Sequence, residues 1–333
     1  MKNIVMIGLT RKTYDIILML RNNYSIKIVP KSEWDKLLIF FLRKVQCITL
    51  RGIDSDKFLI LPTEIEDYSF IQKYFPQLVN KYFPDQEIVK QLDDKEMFHD
   101  LMVKLNIRTP KIFSLEESKE FKMPLIIKPK RSKGAKGIYR TQYPHIFNHK
   151  QDEYIIQECL PNGNKINGFF CFCNQGDIEY WYTHSRISTW PKSGGVSVLC
   201  DSERDTELFR ISSSIVKSLE LSGFIMFEYL KVESHYYIIE CNPRLWGSIK
   251  VSCCLSGEKA KNIIELSLEE EREYTYTKCS LWWPIPYGIA SLKQVLNRMF
   301  SRKIFFVNLN KHNLLFMILL YLKIKFIRDE NWV

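Results

Sequence analysis

The sequence predicts a mixed α/β (α+β) protein of two or three units. Three observations lead there. The chain opens with apolar strands alternating with helical stretches. Its middle is a series of aromatic and β-branched runs broken by short polar turns. At 333 residues and 46% hydrophobic content it can also bury a sizeable core, which excludes a disordered chain.

Lys2 to Leu9 reads as a strand ending near Gly8, and Tyr14 to Leu20 as a helix. Ser25 to Val29 is a second strand closed by Pro30, Trp34 to Val45 a helix, and Phe58 to Leu61 a short strand stopped by Pro62. A lone glycine after the first strand makes no dinucleotide fingerprint, because the GxGxxG spacing is missing. This unit, residues 1–91, reads as a scaffold.

A helix capped by Asp93 or Asp94 follows, with Phe98, Leu101, Met102 and Leu105 as its buried stripe. Pro124 to Pro129 (PLIIKP) is a strand ending in Lys128, and it leads into KRSKGAKGI, Lys130 to Ile138. Glycines let backbone N–H groups approach an anion and lysines neutralise it, so this loop reads either as a phosphate cover or as a solvated basic hairpin tip. It is not a Walker A loop. Glu153 to Leu160 is a strand, and Asn167 to Cys173 pairs with Ile178 to Thr183 around Asn174-Gln175-Gly176-Asp177. The stretch after His184-Ser185-Arg186, with Pro191, Gly194 and Gly195, reads as irregular, and His184 as a polar surface residue. Glu207 to Leu221 is an amphipathic helix.

The most informative stretch is Gly223 to Ser248, two strands joined by a turn at Glu233-Ser234-His235. A hairpin centred on Ser234 sets Glu228 opposite Glu240, with Glu240 sharing the face of Ile238 and Asn242. Directly opposed carboxylates have Cβ atoms roughly 4.5–5.5 Å apart and repel unless a cation lies between them. Two carboxylates and the Asn242 amide form an all-oxygen set suited to Mg²⁺, whose shell nucleotide phosphates usually complete. Asn242-Pro243-Arg244 stops the strand and sets a guanidinium, a fork for phosphate, beside that site.

The net charge of +10 suits polyanionic ligands such as nucleotides, or an anionic membrane surface. A nucleic-acid binder is not expected, since no recognition module accompanies the basic segments. Nine cysteines without a CxxC pair or a zinc spacing read as buried thiols in a reducing cytoplasm. The N-terminal apolar run is too short for a signal peptide.

The order of Asp94-Lys95 with Phe98, Thr109-Pro110, PLIIKP, SKGAKGI, IIQECLPNG, FEYL and IIECNPRLWGS resembles the ATP-grasp superfamily. The likeness is to its carboxylate-amine ligase-like branch, related to carbamoyl-phosphate synthase and biotin carboxylase, and it covers about Leu92 to Gly257. It implies an ATP-grasp fold of two lobes over 92–262, preceded by a small Rossmann-like α/β domain and followed by a C-terminal helical extension, 263–333. It implies that ATP is held with Mg²⁺ or Mn²⁺. Lys95, Lys128, Lys136 and Gly137 would meet the phosphates, and Glu158, Cys159 and Leu160 the adenine. Glu228, Glu240 and Asn242 would hold the metal, while Arg186 and Arg244 would steady the transferred phosphate. Where many members carry an acid for the ribose, this chain has Asn164-Lys165. The implied activity is ATP-dependent joining of a small-molecule carboxylate to an amine through an acyl phosphate; the alternative is a non-catalytic nucleotide-binding or regulatory protein.

Beyond Gly257 the likeness fades. An acidic run from Glu265 to Glu273 reads as a solvated helix face, Trp282 to Pro286 as a loop and Ile289 to Phe300 as a helix. Leu314 to Ile324, within the basic segment 314–327, is too short to span a bilayer, which takes about 20 apolar residues. It reads either as a core helix or as a peripheral membrane or protein contact. Trp181, Trp190 and Trp246 line an acceptor pocket or belong to the core. Oligomerisation is left open.

Overall fold

The structure is a computed structural model. It describes residues 3–42, 44–49, 51, 53–54, 58–78, 83–132, 137–141, 152–161, 165–190, 195–256, 263–267, 274–283 and 291–306. The first four strands are β1 (Asn3–Ile7), β2 (Ser25–Val29), β3 (Val45–Cys47) and β4 (Phe58–Leu61), paired in parallel in the order β3-β2-β1-β4. Parallel neighbours need crossovers, and α1 (Arg11–Leu20) and α2 (Glu33–Phe40) supply two of them, with α3 (Glu66–Tyr74) after β4. Strand β1 buries both faces. Ile4 and Met6 enter one core and Val5 and Ile7 another, as a sheet covered on two sides requires. The expected helix from Trp34 to Val45 stops at Phe40, because Val45 is taken into β3 and Lys44, at φ 65°, reverses the chain.

Two helices then meet at Asp94. The first, α4 (Gln86–Asp93), is not anticipated from the sequence; the second is α5 (Lys95–Lys104). The Asp94 carboxylate accepts from the Glu96 and Met97 backbone N–H groups, so Asp94 rather than Asp93 is the cap. A second, antiparallel sheet contains β5 (Ile112–Phe113), β6 (Leu125–Pro129), β7 (Tyr139–Thr141) and β8 (Tyr154–Glu158) in the order β5-β8-β6-β7, with α6 (Leu115–Glu120) between β5 and β6. Strands β6 and β7 pair antiparallel, Ile127 lying opposite Tyr139.

The third sheet begins with β9 (Ile166–Asn174) and β10 (Asp177–Trp190), joined through Gln175-Gly176 at φ 47° and 89°. Then come β11 (Val196–Glu203), α7 (Thr206–Ser218), β12 (Gly223–Val232) and β13 (His235–Asn242). The stretch expected to be irregular after Arg186 therefore continues β10 to Trp190 and adds all of β11. One face of this sheet packs Phe169, Cys171, Ile225, Phe227 and Tyr229 against α4, α5 and α7. The other packs Phe170, Tyr182, Phe224 and Met226 against Trp246 and the first unit.

Where a C-terminal helical extension is expected, the described residues include strands. Among those residues the C-terminal segment contains the short ladder of β14 (Leu255–Ser256) with β15 (Thr275–Tyr276), then α8 (Ile263–Ser267), β16 (Cys279–Trp282), α9 (Leu292–Leu296) and β17 (Lys303–Phe306). Strands β16 and β17 extend the third sheet, whose order is β13-β12-β9-β10-β11-β16-β17. Trp282 is thus a strand residue, because β16 pairs with β11. Glu265 is buried and accepts from Asn23 Nδ2 at 3.0 Å, so it is not part of a solvated face. No described helix is long and apolar enough to cross a membrane, and 314–327 lies outside the described residues. The nine cysteines are free, and Cys171, Cys173, Cys200 and Cys241 are buried in strands.

Candidate functional site

Glu228 and Glu240 are direct cross-strand partners in β12 and β13, but the hairpin reaches that register by another route. Its turn is Glu233-Ser234, with Val232 opposite His235, so a regular ladder would set Glu228 against Ile239. A one-residue shift between Ile238 and Glu240 restores the Glu228–Glu240 pair. The bulge also corrects the expected face. Ile238 packs with Phe227, Tyr229 and Cys241 on the helix-covered side, while Glu240 stands opposite Glu228 on the other.

Cations converge on this pair. The Arg186 guanidinium donates from Nη2 to Glu228 Oε1. Lys95 Nζ, on the first turn of α5, is 4.0 Å from Glu240 Oε1 and donates to Ser132 Oγ at 3.3 Å. Lys128, on β6, is buried and close enough to feel Glu240, Lys95 and Glu228. Burial brings its ammonium down to about 8, the two glutamates oppose that fall, and Lys95 adds to it. Burial likewise raises the Glu228 carboxyl above the usual range; Arg186 opposes the rise and Glu240 reinforces it. Asn242 Nδ2 is 3.5 Å from Glu240 Oε1, and its Oδ1 accepts from Arg244 Nη2 at 2.7 Å. Lys95, Lys128, Arg186, Arg244, Glu228, Glu240 and Asn242 therefore form one cluster where the second sheet meets the third.

The donor set suits a nucleotide-bound Mg²⁺. Four cations face two carboxylates, leaving an excess of positive charge for phosphate. Lys128 is a buried ammonium short of counter-charge, and Arg244 Nε is a buried donor without an acceptor among the described residues. Among those residues no group of three or more His, Cys, Asp or Glu side chains is gathered for a metal. A pair of carboxylates with phosphates completing the shell is how Mg²⁺ is usually bound beside a nucleotide.

The other expected contacts lie along the second sheet. Glu158 opposes Leu125, and Lys128 opposes Ile155, which separates Glu158 from Lys128 by three strand positions, about 10 Å. Glu158 Oε2 accepts from Lys111 N at 3.3 Å, and Cys159 N donates to the Pro124 carbonyl at 3.3 Å, with Leu160 following at the strand exit. Gly137 has φ 71°, and a Cβ there would lie 2.9 Å from Pro129 Cγ, so the loop's return into β7 requires glycine. Lys136 is outside the described residues. Lys130 pairs with Glu96 and Arg131 with Asp94, which ties the start of the loop to α5. Lys165 pairs with Glu203 at 3.8 Å, and Asn164 is outside the described residues.

Comparison with known families matches residues 92–248, just under half of the chain, to the ATP-grasp domain. Over those residues the chain is similar to ATP-grasp domains. A curated relative, the carbamoyl phosphate synthase large chain of Methanosarcina acetivorans, is 22% identical over 251 residues, covering 66% of this chain and 23% of that protein. The chain thus spans about a quarter of that relative's length. In fold it is similar to N5-carboxyaminoimidazole synthetase from Staphylococcus aureus complexed with ADP, at a TM-score of 0.69 and 12% identity over 89% of this chain and 86% of that one. It is also similar to the biotin carboxylase domain of Hydrogenobacter thermophilus 2-oxoglutarate carboxylase in complex with MgADP, at 0.62 and 13% over 84% and 73%.

Several residues beside the ATP-grasp cluster escape sequence reasoning. His184 is buried rather than on the surface. Its Nε2 is 2.9 Å from Ser248 Oγ, its ring packs on Phe170, and burial beside Arg186 brings it down to about 3, so it is a neutral fixture that anchors the strand carrying Arg186. Gly168, next to it in the sheet, leaves room for the Phe170 ring, whose atoms would be 2.5 Å from a Cβ. The first unit also touches the ATP-grasp domain. Tyr68 donates its hydroxyl to the Pro243 carbonyl, and Lys12 Nζ reaches the Leu245 carbonyl at 3.3 Å and Glu64 at 2.8 Å. These contacts bring the carboxyl ends of β1 and β4 against Arg244. Trp181 and Trp246 are core residues, and Trp190 is exposed.

Proposed function

We propose that the chain is an ATP-dependent ligase that activates a carboxylate as an acyl phosphate and joins it to an amine. The observation that carries this reading is the cross-strand pair Glu228 and Glu240 held among Lys95, Lys128, Arg186 and Arg244. The ADP and MgADP in the similar synthetase and carboxylase structures support a nucleotide between the second and third sheets. In this reading the ATP-grasp unit runs over 92–262, with residues 1–91 as the preceding α/β unit and 263–333 as an extension whose strands lengthen its sheet.

Glu228, Glu240 and Asn242 Oδ1 would hold Mg²⁺, and the ion would supply positive charge to the phosphate oxygens. Lys128 and Lys95 neutralise the phosphate oxygens from the side of the second sheet. Glu158, Cys159 and Leu160, three or more positions along the second sheet from Lys128, would read the base through backbone groups. Lys136 and Gly137 belong to the loop that covers the phosphates. Arg186 and Arg244 steady the phosphoryl group while a substrate carboxylate oxygen attacks it in line. The amine then attacks the acyl carbon, phosphate leaves with the bonding electron pair, and the nitrogen gives up a proton to form the amide. No side-chain nucleophile is needed.

Incubation with ATP, Mg²⁺ and pooled carboxylates and amines tests the proposal through ADP and phosphate. Release that depends on a particular pairing is expected. ATP binding without release under any pairing would instead favour a regulatory nucleotide-binding protein.

A further inference from the structure

The helical stretch from Ser291 to Arg302 is turned inside out. It begins with α9 and continues in tight turns, Asn297 N donating to the Lys293 carbonyl at 3.2 Å and Arg302 N to the Arg298 carbonyl at 3.0 Å. Its inward side carries Ser291, Val295, Arg298 and Arg302. Arg298 Nε donates to both oxygens of the buried Asp201 at 3.0 and 2.9 Å, Ser280 Oγ donates to Asp201 Oδ1 at 2.6 Å, and Arg302 Nη1 reaches the Ser202 carbonyl at 2.9 Å. The outward side carries Leu292, Leu296, Met299 and Phe300, which are 45, 51, 56 and 100% exposed. A rotation that buried these four would strip Asp201 of its arginine, and a buried carboxylate without a partner is strongly disfavoured. The pairing therefore fixes an apolar face toward the surroundings, the signature of an interaction site.

Charge identifies the kind of surface it meets. Between Glu273 and Asp329 the sequence has no acidic residue, and three of its lysines, Lys278, Lys293 and Lys303, are described and exposed. A second exposed apolar face, Trp34, Leu37, Phe40 and Phe41 around α2, is interleaved with Glu33 and Lys36 and has no such bias. Exposed apolar side chains beside exposed lysines match a lipid headgroup layer of negative charge, into which the apolar residues insert while the lysines stay at the phosphate level. We infer that Leu292, Leu296, Met299 and Phe300 form a docking face for an anionic membrane surface, held outward by the Asp201–Arg298 pair. The inference is independent of the ligase reading.

The full chain is sedimented with vesicles of phosphatidylcholine alone and of phosphatidylcholine mixed with phosphatidylglycerol, at low and high salt. Binding to the mixed vesicles, weakened by salt and absent with the neutral ones, is expected. The double variant Met299→Glu, Phe300→Glu should lose at least about tenfold in partitioning, with an unchanged circular-dichroism melt; Phe300→Ser, a milder change, should lose part of it. Undiminished binding by the double variant would assign any lipid contact elsewhere and overturn the inference. A wild-type dimer in sedimentation velocity that the double variant breaks, without vesicle binding, would overturn it in favour of a second copy of the chain.

Discussion

Lys128 shows how burial sets a residue's chemistry before any ligand arrives. Its ammonium sits near 8 instead of the usual value above 10, because the β6 environment disfavours charge more than Glu240 and Glu228 favour it. A bound polyphosphate reverses that balance, so binding favours the protonated form. Below pH 8 the proton is already in place. Above it, binding must take one up, and nucleotide affinity should fall by up to about tenfold per pH unit until the pKa of the complex is reached. Titration calorimetry from pH 7 to pH 9.5 should record this fall, and Lys128→Gln should bind more weakly with a flatter profile. For stability the sign is opposite. The folded pKa is depressed, so the unfolded chain holds more protons between pH 8 and about 10.4, and the ligand-free protein gains stability as pH rises through that window. At Glu240 the expectation is simpler: Glu240→Gln should lower turnover about a hundredfold or more while the melt is preserved. These two glutamates are legible in the sequence because acids interrupt apolar strands. His184 is not, because its burial depends on which sheet face it meets and on Ser248, 64 positions away.

At the scale of elements, the β12–β13 hairpin shows a right pairing reached for an incomplete reason. Symmetry about Ser234 names the correct partners, yet the turn sits at Glu233-Ser234 and the bulge at Ile239 makes up the difference. Deletion of Ile239 would leave Glu240 opposite Glu228 in a regular ladder, so ADP release should stay within about tenfold of the wild type; a larger loss with the fold intact would mean that the bulge itself aims the carboxylate. Helix α7 depends on Asp205, which accepts from Glu207 N and Leu208 N, each at 3.0 Å, and from the Tyr236 hydroxyl on β13. Asp205→Ala should cost about 1–2 kcal/mol in urea unfolding. Strands with local partners, such as β9 and β10, are legible from alternation and a two-residue turn. Strand β11 is obscured by Pro191, Gly194 and Gly195 before it, and its partner β16 lies about 80 positions further along the chain. The same non-local pairing brings β16 and β17, within the stretch expected as a helical extension, into the third sheet.

Across the whole molecule, the parallel first unit, the small second sheet and the large third sheet meet around one cluster of charge. Each supplies something the others lack: the third sheet the carboxylates and arginines, the second sheet Lys128, and the first unit a wall against Pro243 and Leu245. The order of these units is legible because the motifs follow one another along the chain; their contacts are not, since Tyr68 meets Pro243 across 175 positions. In the proposed function, Glu228 and Glu240 together grip a magnesium-bound nucleotide. Calorimetric titration of ADP with and without Mg²⁺, in the wild type and in Glu240→Gln, decides whether they do. Binding strengthened by Mg²⁺ in the wild type, with that gain lost in the variant, is expected; affinity indifferent to Mg²⁺, or a gain that survives the substitution, would remove Glu240 from the metal site.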